Sequence, residues 1–254
     1  AFDALILKEI DGLAGLNYLD LPQNIFFNYK IYQITLPRVI GLFFNSQKIK
    51  PEVISYLNQT IDRQSIVKNI LKNRAEISYG LFSPTIRKIL KLNDFQITTS
   101  SNPQKFEIKI IVPSSYFYPD IARWLKENYS LETEFVKPEE LNEILSKKEY
   151  QGILSGLNFN HPPFISSFFS KLGYNINNID DVDLEKQFQQ LMIDPQSNIQ
   201  NNLTTIEKKI ARFNVFLVNP YYLYFLNKKI IGFDQFYLPS PEFRFIKLES
   251  WHQK

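Results

Sequence analysis

The chain has 254 residues, of which 44% are hydrophobic and 22% charged, and its formal net charge is +3. This length allows one large domain or two small ones, and the even spread of apolar residues excludes an intrinsically disordered chain. The small charge argues against a nucleic-acid binder. The absence of cysteine excludes disulfides, thiolate zinc sites and cysteine nucleophiles.

The N-terminal part of the chain is predicted to contain short helices and strands. FDALILKE reads as a helix end, IDGLAGLN as a short strand, and DLPQNIFFN as a short helix begun by Asp20. YKIYQITL alternates apolar and polar residues, which is typical of a half-buried strand. VIGLFFN is apolar almost throughout and predicts a strand buried on both faces.

Two consecutive helices are predicted next. Pro51 suits the first position of a helix that carries Leu57 and Ile61 at helical spacing, and Asp62 is expected to cap a second helix. AEISYGLFSP and residues 93–105 read as loops, with the helix PTIRKILKL between them.

The middle of the chain reads as a β-α-β-α-β unit. FEIKIIVP, LETEFVKP and YQGILSGLN are predicted strands, and YPDIARWLKENYS and PEELNEILSKKE are predicted helices. The short connections between them favour an α/β sheet with helical crossovers. PFISSFFSKL, LEKQFQQLMID and residues 197–213 are further predicted helices.

Motifs for metal binding or catalysis are absent from the sequence. The two histidines, His161 and His252, lie far apart, and no calcium-loop spacing, G-x-S-x-G elbow, P-loop or G-x-G-x-x-G occurs. Because two carboxylates from distant positions can meet in a fold, an enzyme of unknown reaction stays the alternative. The basic stretches TIRKILK and IVKNILKNR are interpreted as solvated helix faces, with phosphate binding as the other reading.

The stretch SGLNFNHPPF, residues 155–164, is the most informative candidate site. It follows a buried-type strand at the carboxyl edge of an α/β sheet, where open sheets place ligands. Asn158 and Asn160 can donate and accept hydrogen bonds, and Phe159 can pack on an apolar part of a ligand. A loop whose asparagines cap the next helix explains the same residues, and spacing alone leaves both readings open.

Several landmarks occur in order along nearly the whole chain. KEIDGLAGL resembles a G-(E/D)-(I/V)-D segment, YQITLPRVIGLFFNSQ a strand ending in F-N, and IDRQSIV the start of an I-D-R-x-x-I-V element. EYQGILSGLNFNHPPF stands where that pattern has Y-D-(I/L)-x-x-x-G-W-x-x-D-Y-x-D-P. Together they resemble the large peptide-type (peptide/nickel, family 5) solute-binding proteins of bacterial ABC importers.

The resemblance implies a longer protein whose two lobes close on ligand around a hinge. This chain resembles only the C-terminal half, so we expect a periplasmic-binding-protein-like lobe, an α/β fold with a mixed sheet flanked by helices. The implied division is a crossing segment from the missing first lobe at 1–36, the ligand-binding lobe at 37–214 and a return segment at 215–254. The start at Ala1, inside a predicted helix, also suggests an excised fragment, although a removed initiator methionine would look the same.

The chain departs from the family pattern where that pattern holds the ligand. In peptide-binding members the aspartate of G-W-x-x-D pairs with the α-ammonium of the ligand, whereas here Asn160 stands at that position and Leu157 at the tryptophan position. Loss of one partner of a buried charge pair costs about 2–5 kcal/mol, and an amide recovers only part of this. We therefore expect weak binding of peptides with a free amino terminus, or binding of another solute. His161 stands at the tyrosine position, and the resemblance implies that it lines the cleft.

The candidate ligand-binding residues are Leu157, Asn158, Phe159, Asn160, His161, Asn45, Tyr79, Phe82 and Ser83. Asn45 ends the strand at the F-N landmark, where bracing and capping are both open. Tyr79 to Ser83 lie in a loop that faces the cleft in the family, with local packing as the alternative. Tyr116 and Tyr118 begin a helix after a sheet strand and are further candidates.

The expected function is that of a substrate-binding component of an ABC importer, which binds a peptide or peptide-like solute between lobes and delivers it to a membrane permease. We expect a monomer without enzyme activity, cofactor, metal or nucleic-acid partner; a stand-alone α/β enzyme domain is the alternative. The expected location is extracytoplasmic, either periplasmic or as a cell-surface lipoprotein. The sequence itself contains neither a signal or anchor nor an apolar run of about 18 residues.

Overall fold

The structure, a computed structural model, describes residues 2–14, 25–93, 106–158, 167–169, 174–193, 199–233 and 252–253. The α-helices are α1 (Phe2–Ile6), α2 (Ile25–Asn28), α3 (Pro51–Thr60), α4 (Arg63–Ser65), α5 (Pro84–Leu90), α6 (Tyr118–Tyr129), α7 (Leu141–Lys147), α8 (Val182–Ile193) and α9 (Ile199–Ala211). The strands are β1 (Gly12–Ala14), β2 (Tyr29–Ile34), β3 (Arg38–Phe44), β4 (Ala75–Ile77), β5 (Ile108–Pro113), β6 (Leu131–Val136), β7 (Gly152–Asn158), β8 (Asn214–Pro220), β9 (Tyr222–Asn227), β10 (Ile230–Ile231) and β11 (His252–Gln253).

Within the described residues, six strands form a mixed sheet in the order β4-β8-β3-β7-β5-β6. β3 runs antiparallel to β7 and β8, with Arg38 opposite Asn158 and Phe44 opposite Gly152. β5 runs parallel to β6 and β7. The start of β3 and the ends of β5, β7 and β8 therefore meet at one edge of the sheet, here called the upper edge. This α/β fold with a mixed sheet flanked by helices confirms the expected fold class.

Strand β3 lies near the centre of the sheet because its side chains are apolar on both faces. Leu42 and Phe43, which point to opposite faces, are both fully buried. Gly41 lies where the pairing with β8 shifts register, and a Cβ atom there would stand 2.7 Å from the carbonyl oxygen of Val215. Glycine thus permits the close approach of β8, and the predicted doubly buried strand is confirmed.

Helices cover both faces of the sheet. On one face α5, α8 and α9 surround an aromatic group in which the Phe43 ring lies 5.6 Å from that of Phe168 and 6.4 Å from that of Phe216. On the other face α3 and α6 bury Leu57 and Ile121 against the strands. The apolar residues whose spacing predicted these helices are the ones that pack in the core against the sheet.

Three more strands, β1, β9 and β2, form an antiparallel sheet in that order. Its strands come from one segment before β3 and one segment after β8. The chain changes from the six-stranded to the three-stranded sheet between Pro220 and Tyr222. Residues 215–220, which the sequence assigned to a return segment, pair within the six-stranded sheet.

Several features of the described chain were not predicted, among them strands β8 to β11, since no element type was assigned to residues 214–254. AEISYGLFSP contains β4, an edge strand of three residues that is too short to show periodicity. IVKNI forms a π-helical turn, Ile66–Ile70, in which the N–H of Leu71 donates to the carbonyl of Ile66. The start of DLPQNIFFN, residues 94–105 and most of PFISSFFSKL lie outside the described residues. None of the described helices has the length and apolarity needed to cross a membrane.

Candidate functional site

An open pocket of about 250 Å³ lies at the upper edge of the six-stranded sheet. We call it the edge pocket. Its walls come from the start of β3, the ends of β7 and β8, and the connection from β5 to α6. Its lining residues include Arg38, Tyr116, Tyr118, Gly156, Leu157, Asn158 and Pro220. Carboxyl ends of parallel strands such as β5 and β7 are where open α/β sheets bind ligands.

Gly156 and Tyr118 are fitted closely to each other in the edge pocket. A Cβ atom on Gly156 would lie 2.6 Å from the hydroxyl oxygen of Tyr118, so a larger residue would displace the phenol. The backbone N–H of Gly156 donates a hydrogen bond to this oxygen. Burial raises the pKa of Tyr118 to about 12, with a smaller raising effect from Tyr116 and lowering effects from Arg38 and the Gly156 N–H. The phenol therefore keeps its proton at neutral pH.

Arg38 connects the start of β3 to the end of β8. Its Nε and Nη2 atoms donate to the carbonyl oxygen of Pro220 at 2.9 and 2.8 Å, and Nη2 also donates to that of Tyr221 at 3.1 Å. Burial lowers the pKa of Arg38 to about 10, against raising effects of Tyr118 and Tyr222. The guanidinium is still a cation at neutral pH, so it adds a fixed positive charge to the pocket wall.

Tyr116 is exposed beside Tyr118. The residue is 79% exposed, and its backbone adopts a φ angle of 54°. This left-handed conformation is uncommon for a tyrosine, and such strain often occurs at ligand sites. The result is an aromatic hydroxyl at the mouth of the edge pocket.

Two of the nine candidate ligand-binding residues, and both further candidates Tyr116 and Tyr118, lie in the edge pocket. Leu157 and Asn158 end β7, and Asn158 is exposed there. Phe159, Asn160 and His161 lie outside the described residues, so their roles stay predictions.

Asn45 lies at the other end of β3, about 20 Å from the edge pocket at 3.3 Å per residue. Only 1% of the residue is exposed. Its amide donates to the carbonyl of Lys148 at 3.1 Å and accepts from the N–H of Gln47 at 3.1 Å. These contacts are those of a residue that braces the turn after the strand.

The predicted loop residues Phe82 and Ser83 are buried away from the edge pocket. Phe82 belongs to the core beside α9, and the Ser83 hydroxyl caps α5 by accepting from the N–H of Ile86 at 3.4 Å. Tyr79 is exposed, and its ring lies 4.8 Å from the buried guanidinium of Arg63. Phe82 and Ser83 therefore make the contacts expected of local packing, and ligand binding by Tyr79, Phe82, Ser83 and Asn45 stays a prediction.

Arg38 and Gly156 were not identified from the sequence. Arg38 is a single charge at the start of an otherwise apolar strand, and Gly156 is a small residue inside a strand. Both are signals of an unusual local environment. Neither signal indicates what the residue contacts, because Tyr118 and Pro220 come from distant parts of the chain.

No group of three or more His, Cys, Asp and Glu side chains in the described ranges is arranged to hold a metal ion. A deeply buried carboxylate, Glu207, lies in the core and pairs with Arg87 at 2.6 Å. Burial raises the pKa of Glu207, while Arg87 and two backbone N–H groups lower it. This pair joins α5 to α9 and does not line the edge pocket.

Solved structures of substrate-binding proteins share this fold. The ABC transporter substrate-binding protein CtaP from Listeria monocytogenes matches with a TM-score of 0.75 and 16% identity, over 98% of this chain and 57% of that one. The oligopeptide-binding protein AppA from Bacillus subtilis, solved with a nonapeptide, matches with a TM-score of 0.65 and 17% identity, over 99% and 57%. NikA from Staphylococcus aureus, solved with Ni(L-His)2, matches with a TM-score of 0.67 and 17% identity, over 93% and 58%.

The chain spans between half and two thirds of the length of these structures. No protein-family model matches the sequence, and no curated protein matches it. The fold is therefore that of substrate-binding proteins of peptide and nickel ABC transporters.

Proposed function

We propose that this chain is the ligand-binding lobe of a substrate-binding protein that serves an ABC importer. The observation that carries this proposal is the edge pocket, in which Tyr116, Tyr118 and Asn158 present polar groups at an open sheet edge. The shared fold supports it, because the similar proteins include one solved with a peptide and one with a nickel complex. The proposed activity is binding by closure, in which a ligand favours the closed state by its higher affinity for it.

A second lobe is proposed to complete the site. The edge pocket is open to one side, and the similar structures are longer than this chain. We assign the three-stranded sheet to segments that cross toward and return from this first lobe, with the lobe boundary at Pro220. The proposed protein is an extracytoplasmic monomer, and its partner is the membrane permease.

The proposed solute is a peptide or peptide-like molecule whose amino terminus is not held by a charge. Asn160 brings no charge to the position at which the family pattern has an aspartate. We expect N-acetylated and free forms of one peptide to bind the complete gene product with affinities that differ less than tenfold.

Calorimetric titration with both forms measures this difference. The Asn160→Asp variant is the control, because its added carboxylate should shift the preference toward the free amine. A strong preference of the unaltered protein for the free amine would contradict the assignment.

A further inference from the structure

We propose that the edge pocket recognises a hydrogen-bond-accepting oxygen of the ligand, a carboxylate or a peptide carbonyl, through the hydroxyl of Tyr118. This inference rests on the proposed function, since it takes the edge pocket to be a ligand site. It names the chemical group that this part of the site binds.

The Tyr118 hydroxyl has a proton that it can donate to a ligand. A tyrosine hydroxyl donates one hydrogen bond, and its oxygen also accepts. The oxygen already accepts from the N–H of Gly156. Within the described part of the chain, no hydrogen bond uses the hydroxyl proton. Among the residues that the structure describes, the hydroxyl thus has no acceptor, and it lies in the wall of an open pocket.

The Tyr118 phenol is protonated at neutral pH. Burial keeps the pKa of Tyr118 near 12, several units above neutral pH. The hydroxyl therefore donates at any pH at which the protein is expected to work. A ligand ammonium, which has only donors, cannot accept the proton of this hydroxyl.

The described lining of the edge pocket carries a positive charge. Arg38 places a guanidinium in the wall, and none of the described lining residues is acidic. A guanidinium attracts an anionic or strongly dipolar oxygen and repels an ammonium. The exposed Asn158 amide can add a second donor to the same oxygen.

The Tyr118 hydroxyl and the Arg38 guanidinium are held in place before a ligand binds. The Tyr118 hydroxyl occupies its place because Gly156 has no side chain. A Cβ atom at this position would lie 2.6 Å from the hydroxyl oxygen and displace it. Arg38 is held by three hydrogen bonds to the end of β8. Groups that are fixed before binding lose little conformational entropy when the ligand arrives, which favours affinity.

The test compares the complete gene product with its Tyr118→Phe variant by calorimetric titration. The probes are one N-acetylated peptide with a free carboxyl terminus and the same peptide amidated at that terminus. Loss of a hydrogen bond to a charged carboxylate should weaken binding about 10- to 100-fold, and loss of one to a carbonyl about 2- to 10-fold. Tyr174→Phe is the matched control, because Tyr174 is a half-exposed tyrosine outside the edge pocket, and it should bind as the unaltered protein does.

The two peptides distinguish the sources of the oxygen. If Tyr118 binds the terminal carboxylate, amidation weakens binding by the unaltered protein more than it weakens binding by Tyr118→Phe, in which Arg38 still attracts the carboxylate. If it binds a peptide carbonyl, amidation has little effect on either protein, and Tyr118→Phe is weaker with both peptides.

Equal affinities of Tyr118→Phe and the unaltered protein would overturn this inference and leave the proposed function in place. An unaltered protein that binds neither peptide would overturn the proposed function and the inference with it. If Tyr118→Phe fails to fold, Gly156→Ala serves instead, because it keeps the phenol but displaces its hydroxyl, and the same weakening is expected.

Discussion

At the scale of residues, three glycines occupy places where a side chain would meet different neighbours. A Cβ atom on Gly41 would meet the Val215 carbonyl at 2.7 Å, one on Gly152 would meet the Ile110 and Phe44 side chains at 2.7 and 2.9 Å, and one on Gly156 would meet the Tyr118 hydroxyl at 2.6 Å. The backbone of a central strand moves less readily than the end of one side chain at an open pocket. Each glycine therefore has a different place, in the pairing of the sheet, in the core or in the wall of the edge pocket.

The Gly41→Ala and Gly156→Ala variants separate two of these roles. Gly41→Ala should lower the free energy of unfolding by about 1–3 kcal/mol, as overpacking does in cores. Gly156→Ala should lower it less and reduce ligand affinity instead, because only the phenol has to move. Urea unfolding followed by circular dichroism measures the first effect. An equal loss of stability in both variants would contradict this assignment.

At the scale of elements, the cap of α4 is a local structure that the sequence predicted. Asp62 accepts from the N–H of Ser65 at 3.1 Å and from its hydroxyl at 2.7 Å. These bonds lower the pKa of Asp62 below its ordinary value of 3.8. A carboxyl whose pKa is lowered on folding stabilises the folded state above its unfolded pKa, and this contribution is lost as pH falls through the lowered value.

Asp62→Asn tests the cap and its charge separately. The amide oxygen can still cap α4, so at neutral pH the free energy of unfolding should fall by less than the ~1 kcal/mol typical of a lost cap. Between pH 5 and pH 2 (about the range of carboxyl titration), the unaltered protein should lose more stability than the variant. Urea unfolding across this range measures the difference. Parallel pH curves for the two proteins would contradict this account.

Sequence periodicity predicted most of the described elements, because long amphipathic helices and alternating or apolar strands carry their own pattern. β4 was missed because its three residues show none, and the π-helical turn after α4 looks like a regular helix in sequence. Asn158 was a candidate because it follows a predicted strand, and Leu157 because it stands at the tryptophan position of the family pattern. Tyr116 and Tyr118 were candidates because they begin a helix after a strand. Arg38 and Gly156 were not, since their roles arise only when β3, β7 and α6 come together.

At the scale of the whole molecule, the six-stranded sheet brings distant segments to one edge. Residues near 38, 116, 156 and 220 line the same pocket although they are far apart in the chain. The antiparallel pairing of β3 with β7 and β8 makes this possible, because it places the start of one strand beside the ends of the two others. The fold thus explains why the edge pocket, where we propose that ligand binds, lies at the upper edge.

The central claim is that a solute binds at this edge, and hydrogen–deuterium exchange of the complete gene product tests it most directly. The measurement compares backbone exchange without ligand and with a saturating N-acetylated peptide. We predict slower exchange in fragments that cover residues 114–118 and 155–158, with little change around Asn45 at the far end of β3. Protection at the Asn45 end alone, or no protection by the saturating peptide, would contradict the account.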